Sequence, residues 1–242
     1  MLTRLLLALL IVTPAAAEGF AKLSFPYRGA ERTYYLDMPA SAKDAAPLVL
    51  LLHGSRSNGA SMIQRWQDIA AREGIVLLAP DSAHTDKGWD LQDDGPDFIH
   101  DLIAAVAAAH PIDRRRIYVF GQSGGAVYAL TLGMLESEYF AAIGFHAGGW
   151  RRPAEYKATA YATRKIPIGM WVGDQDEYFS KTSLHQTEHV LTEAGFPAEL
   201  HILDGRRHSY MDVPADFHDR VWTFFKAHAL DGPPRYADYG AH

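Results

Sequence analysis

Six short apolar runs punctuate the chain at Leu48–Leu52, Ile75–Leu78, Ile117–Phe120, Ala141–Phe145, Ile168–Val172 and Leu200–Leu203. Each is bounded by Gly, Pro, Asp or His, and their length suits buried strands better than helices. Helical stretches lie between and after them at Ser61–Arg72, Asp97–Ala109, Gly125–Leu135, Lys181–Ala194 and Ala215–Leu230. Strands alternating with helices of this length require right-handed crossovers, hence an α/β fold with a mostly parallel central sheet covered on both faces. Ahead of it, Lys22–Tyr27 and Arg32–Met38 read as an antiparallel hairpin around Arg28-Gly29-Ala30. With no internal repeat and no Gly/Ser- or Pro-rich linker, 18–230 is expected to form one domain, followed by a loose tail at 231–242.

The 242 residues are 48% apolar and 21% charged, ample material for a buried core. A net charge of −6 lacks the field that gathers phosphates, so nucleic acid is not an expected partner. Cysteine is absent, which excludes disulfides, thiolate metal sites and cysteine nucleophiles. Residues 1–17 form a leader: Arg4, the apolar run Leu5–Val12, a break at Pro14 and Ala15-Ala16-Ala17 before Glu18. The run is too short to span a bilayer. The expectation is a cleaved signal peptide, a secreted or periplasmic protein, and no membrane contact afterwards.

In a sheet of this kind, chemistry gathers in the loops beyond the carboxyl ends of the strands. There, Ile117–Phe120 runs into Gly121-Gln122-Ser123-Gly124-Gly125 and then a helical stretch, a G-x-S-x-G in strand–turn–helix context. Glycines two residues either side of Ser123 make room for a sharp, strained turn that presents the hydroxyl at a helix N-terminus. A serine nucleophile needs a base, itself oriented by a third group, and in this layout the order is Ser, acid, His. The loop after Ile168–Val172 offers Asp174 and Asp176. Asp176 is favoured because the chain has turned by then. The loop after Leu200–Leu203 offers His208, with Asp204 more suited to bracing that loop. The oxyanion donors expected are the backbone N–H groups of Gly124 and, after the first parallel strand, of Ser55 in Leu52-His53-Gly54-Ser55. His53, at a strand end before glycine, reads as a hydrogen-bonded structural histidine.

These pieces together resemble the α/β-hydrolase superfamily, and within it the secreted feruloyl esterase and poly(3-hydroxybutyrate) depolymerase branch, over about 32–221. The resemblance rests on Leu51-Leu52-His53-Gly54-Ser55, Lys87-Gly88-Trp89, Asp113 to Gly125, Gly173-Asp174-Gln175-Asp176 and Gly205-Arg206-Arg207-His208. Its glycine, two spacers and acid imply Asp176 as the third triad member. It implies a serine esterase with the triad Ser123, Asp176 and His208, an acyl-enzyme, no cofactor, and a small or polymer-borne ester as substrate.

About twenty residues separate Phe145 from Ile168, room for a short excursion at 150–164 but not for a large cap domain, so an open cleft is expected. Trp89 and Tyr178 are the expected pocket aromatics. Trp150, Phe179 and Tyr210 lie in the same loops but are better read as core. Arg151, Arg152, Arg206 and Arg207 would make a basic rim able to steer anionic substrates. His185-Gln186-Thr187-Glu188-His189 fits H-x-x-E-H, but on a crossover helix without a third ligand it reads as a solvated face, and no metal site is expected. A serine peptidase and a non-catalytic binding module on the same fold are the competing classes.

Overall fold

The structure, a computed structural model, describes residues 19–84 and 86–237. The leader at 1–17 and the last residues of the tail lie outside the described residues. Eight strands form one sheet: β1 (Ala21–Tyr27), β2 (Ala30–Asp37), β3 (Ala46–Leu52), β4 (Val76–Pro80), β5 (Ile112–Gln122), β6 (Ala142–His146), β7 (Ile168–Gly173) and β8 (Ala198–Leu203). Their spatial order is β1-β2-β4-β3-β5-β6-β7-β8. β1 and β2 pair antiparallel, as do β2 and β4, and the remaining neighbours are parallel. The hairpin closes through Arg28 and Gly29, both at positive φ (48° and 79°), the two-residue turn whose twist matches its strands.

Four helices lie in the crossovers, α1 (Gly59–Glu73), α2 (Pro96–Ala109), α3 (Gly124–Leu135) and α4 (Lys181–Glu193), and α5 (Phe217–Lys226) follows the last strand. Asn58 caps α1, its side chain accepting the Ser61 N–H, and Gly74 ends it in the left-handed conformation at φ 70°. Strand alternation sorts the core into two layers. Leu48, Leu50 and Leu52 pack with α2, α3 and α4 through Phe98, Leu102, Leu132 and Leu184. Val49 and Leu51 pack with α1 and α5 through Trp66, Ile69, Phe217 and Phe225. This is the α/β-hydrolase arrangement the resemblance implies. The 147–167 excursion holds only a 3-10 turn, Glu155–Ala160, and no cap domain.

Of the tail at 231–242 the structure describes 231–237, where Arg235 pairs with Glu138 and the Tyr236 ring packs against the core and stacks on His100 at 3.9 Å. Among the described residues no helix is long and apolar enough to cross a membrane.

Candidate active site

From β3 the chain passes to β4 on one side and later returns to β5 on the other, so the loops leaving β3 and β5 stand side by side at the carboxyl edge. Ser123 occupies the turn from β5 into α3 at φ 53° and ψ −116°, outside the ordinary regions for a side-chain-bearing residue. The glycines around it are required by contact. A Cβ at Gly121 would lie 2.2 Å from the Gly125 carbonyl oxygen, and one at Gly125 would lie 2.2 Å from that of Leu52. The Ser123 N–H donates to the His146 carbonyl on neighbouring β6 (3.0 Å), which anchors the turn.

Three strand ends then converge. Ser123 Oγ lies 2.9 Å from His208 Nε2, and His208 Nδ1 lies 3.0 Å from Asp176 Oδ2. The Asp176 side chain is fully buried and that of His208 is 17% exposed, so the aspartate sits behind and the imidazole faces outward. Burial alone would raise the Asp176 pKa. The bond from His208 and the amides of Phe179 (2.7 Å) and Tyr178 (2.8 Å) outweigh it and hold the carboxyl below its usual range. Asp174 points elsewhere: its Oδ1 accepts the Gly205 N–H at 2.7 Å, tying the β7 and β8 loops together.

The Ser55 loop lies against the Ser123 turn. A Cβ at Gly124 would stand 2.6 Å from Ser55 Oγ and 3.4 Å from Ser55 N, so the two loops lie in direct contact at this point. His53 is fully buried and makes no bond to Ser123. Its Nε2 accepts the Ser82 N–H (3.1 Å), leaving Nδ1–H to donate to the Gly54 carbonyl (2.8 Å). Burial pushes its pKa down, keeping it neutral.

The two expected pocket aromatics differ. Tyr178 is 64% exposed, and its ring meets His208 edge-on at 4.7 Å, at the mouth of the site. Trp89 is half-buried and braced: its indole N–H donates to the His53 carbonyl (2.8 Å) and its ring stacks on Tyr128. Trp150, Phe179 and Tyr210 are buried. The basic rim is largely neutralised, with Arg152 on Glu155, Arg206 on Asp212 and Arg207 near Glu177. Surface depressions of 400 to 630 Å³ elsewhere are lined by other residues.

His185 pairs with Glu188 on α4. Among the described residues, the one grouping of metal-ligand type is His84, Asp90 and Asp93, already bonded to each other and to backbone amides. Sequence reasoning missed His146 and Glu177. His146 is fully buried beside the site with neither ring nitrogen partnered among the described residues, and burial drives its pKa down to about 3. Glu177 accepts the His208 backbone N–H at 3.3 Å. Glu177 stands between the expected Asp176 and Tyr178, and His146 ends the strand β6, but neither belongs to a motif.

A buried carboxylate, an imidazole and a hydroxyl hydrogen-bonded in series beside two closely approaching backbone segments can activate the hydroxyl and stabilise an oxyanion. Comparison with protein families matches 32–162, more than half of the chain, to the family described as esterase PHB depolymerase. The chain belongs to that family. A poly(3-hydroxybutyrate) depolymerase from Ralstonia pickettii is 29% identical over a stretch covering 50% of this chain and 30% of the relative. A bifunctional acetylxylan esterase/xylanase from Neocallimastix patriciarum is 24% identical across 85% of this chain and 35% of its own length. The chain thus spans about a third of these curated relatives. Among solved structures, a ferulic acid esterase superposes with a TM-score of 0.67 at 15% identity, covering 85% of this chain and 95% of that one, a likeness of fold. The PHB depolymerase family match ends before Asp176 and His208, so the geometry rather than the match brings those residues into the site.

Proposed function

We propose that this member of the PHB depolymerase esterase family is a serine esterase that cleaves carboxylic esters through an acyl-enzyme. The observation that carries the reading is the 2.9 Å contact between Ser123 Oγ and His208 Nε2, with the Asp176 carboxylate behind the ring. His208 Nε2 takes the hydroxyl proton as Ser123 Oγ attacks the ester carbonyl carbon. Asp176 orients the ring and stabilises the imidazolium that forms. The backbone N–H groups of Ser55 and Gly124 receive the oxyanion, on the order of 3 kcal/mol for each such donor. Collapse of the tetrahedral adduct expels the alkoxide, which leaves with the proton from His208. Water then enters by the same route and releases the acid.

Feruloyl, acetyl or polyester substrates are the class supported by the names of the relatives, and the exposed Tyr178 ring at the mouth suits an acyl or aryl group. The leader at 1–17 belongs to the same proposal, with export of the mature chain. An N-terminal sequence of exported protein beginning near Glu18 would support it, and an intact Met1 would overturn it.

Ser123→Ala is expected to abolish both ester turnover and labelling by a fluorophosphonate probe while the melting temperature holds. Turnover that survives in this variant places the nucleophile elsewhere. Methyl ferulate, short p-nitrophenyl esters, polyhydroxybutyrate and aminoacyl anilides, assayed side by side, identify the acyl class. Cleavage of the anilides alone would make the protein a peptidase.

A further inference from the structure

We propose that Arg151 is a positioning residue that holds the Asp176 carboxylate in place through the Tyr178–Phe179 peptide group, an inference that rests on the roles of Asp176 and His208 given above. The two ends of that peptide are engaged from opposite directions. Its carbonyl, on Tyr178, accepts from Arg151 Nη2 at 2.9 Å, and its N–H, on Phe179, donates to Asp176 Oδ1 at 2.7 Å. A cation, a peptide dipole and an anion therefore stand in line, and each hydrogen bond polarises the peptide in the sense that strengthens the other.

The guanidinium is held in a second way. Its carbon lies 3.8 Å over the centre of the Phe179 ring, and that ring in turn stacks on His208 with planes 13° apart and centroids at 5.9 Å. One arginine thus touches both the peptide that serves the aspartate and the ring that backs the histidine. An exposed arginine is ordinarily a mobile, solvated side chain worth little. Here its own backbone is pinned, because the Arg151 and Arg152 N–H groups both donate to Glu155 Oε2 (2.6 and 3.1 Å). Arg152, Arg206 and Arg207 face carboxylates. Among the described residues, Arg151 is the one of the four whose guanidinium bonds a backbone carbonyl of the turn that carries Asp176, where Arg207 reaches only the Glu177 carboxylate on the same turn.

The role follows from the geometry of the turn. Asp176 is fully buried and takes two amides from residues 178 and 179, so a flip of the Tyr178–Phe179 peptide would remove one donor and turn a carbonyl toward the carboxylate. Arg151 opposes that flip by holding the carbonyl outward. Lysine could supply the charge and one donor but not the flat stack on Phe179.

The test uses the full chain as Arg151→Met, Arg151→Lys and wild type, with the low-field proton NMR resonance of the His208–Asp176 hydrogen bond as a readout that needs no substrate. Arg151→Met should move that resonance upfield and broaden it. For a small neutral ester it should lower kcat about tenfold, the scale of one lost charge-assisted hydrogen bond, with KM unchanged. Arg151→Lys should recover part of both. An unmoved resonance with kcat within twofold of wild type overturns the proposal. So does an effect confined to KM for a carboxylate-bearing ester, which would make Arg151 a substrate contact. If wild type turns over no ester, the functional reading fails, and the resonance still decides whether Arg151 positions Asp176.

Discussion

At the scale of single residues, Asp174 and Asp176 separate two jobs that look alike in the chain. Both are loop aspartates after β7. The turn in which the Asp176 N–H donates to the Gly173 carbonyl (3.2 Å) swings the second carboxylate under His208, while the first caps Gly205. Asp176→Asn is expected to lower kcat by about 10³–10⁴-fold, because an amide cannot stabilise the imidazolium or fix its tautomer. Asp174→Asn should leave kcat nearly unchanged and cost about 1 kcal/mol of stability from one weakened loop bond. Steady-state kinetics and urea unfolding of the pair check both, and a reversal would exchange the two roles. The glycine spacing and Ser123 could be read directly because the turn tolerates so few residues. His146 could not, because its burial depends on Tyr210 and Phe217, which come from distant parts of the chain.

At the scale of elements, a buried ion pair positions the segment that carries Trp89. Arg32 on β2 reaches the fully buried Asp94, which also accepts the Ala83 and Asp90 N–H groups, and the Arg32 guanidinium stacks on Phe98 of α2. Burial raises the Asp94 pKa, and those amides and Arg32 oppose it. Arg32→Ala removes one partner and leaves a carboxylate stranded in the interior, so a loss of about 3–5 kcal/mol is expected in chemical denaturation. A loss below 1 kcal/mol would mean Asp94 is already neutral. Hydrophobic patterning located every helix and every parallel strand but missed some ends. β5 begins at Ile112, ahead of the charged run Asp113 to Arg116, because pairing of Ala46 with Ile112 extends the ladder where apolarity gives no signal. α5 stops at Lys226, and beyond it the His228 carbonyl is taken by the Tyr118 hydroxyl and the Leu230 N–H by the Arg115 carbonyl. Capture by β5 competes with continuation of the helix, and no local residue announces it.

At the scale of the whole molecule, the interior around the site holds neutral imidazoles. His146 is depressed to about 3 and His218 to about 4, both chiefly by burial, and His218 Nε2 accepts from the Tyr210 hydroxyl, which itself accepts from Trp66 Nε1. A histidine whose folded pKa lies below its unfolded value of 6.5 binds its proton more readily in the unfolded chain. Its contribution to stability is therefore complete above about pH 6.5, and it is lost as pH falls toward the folded value, at about 1.4 kcal/mol per pH unit and imidazole at most. Stability should be flat from pH 7 to 8 and should fall steeply from pH 6 to 4. His218→Gln should make the fall shallower. A stability that rises on acidification would refute this account.

The amino-acid sequence alone determined the layer order, the position of the strained serine and the loops in which its partners lie, because hydrophobic period and turn chemistry are local properties. Only the tertiary structure decided which aspartate faces the histidine, what holds that aspartate's turn, and that Tyr236 lies against α2. Those outcomes depend on groups far apart in the chain meeting at hydrogen-bond distance. Such meetings are set by the summed geometry of the sheet and leave no periodic trace in the residues themselves.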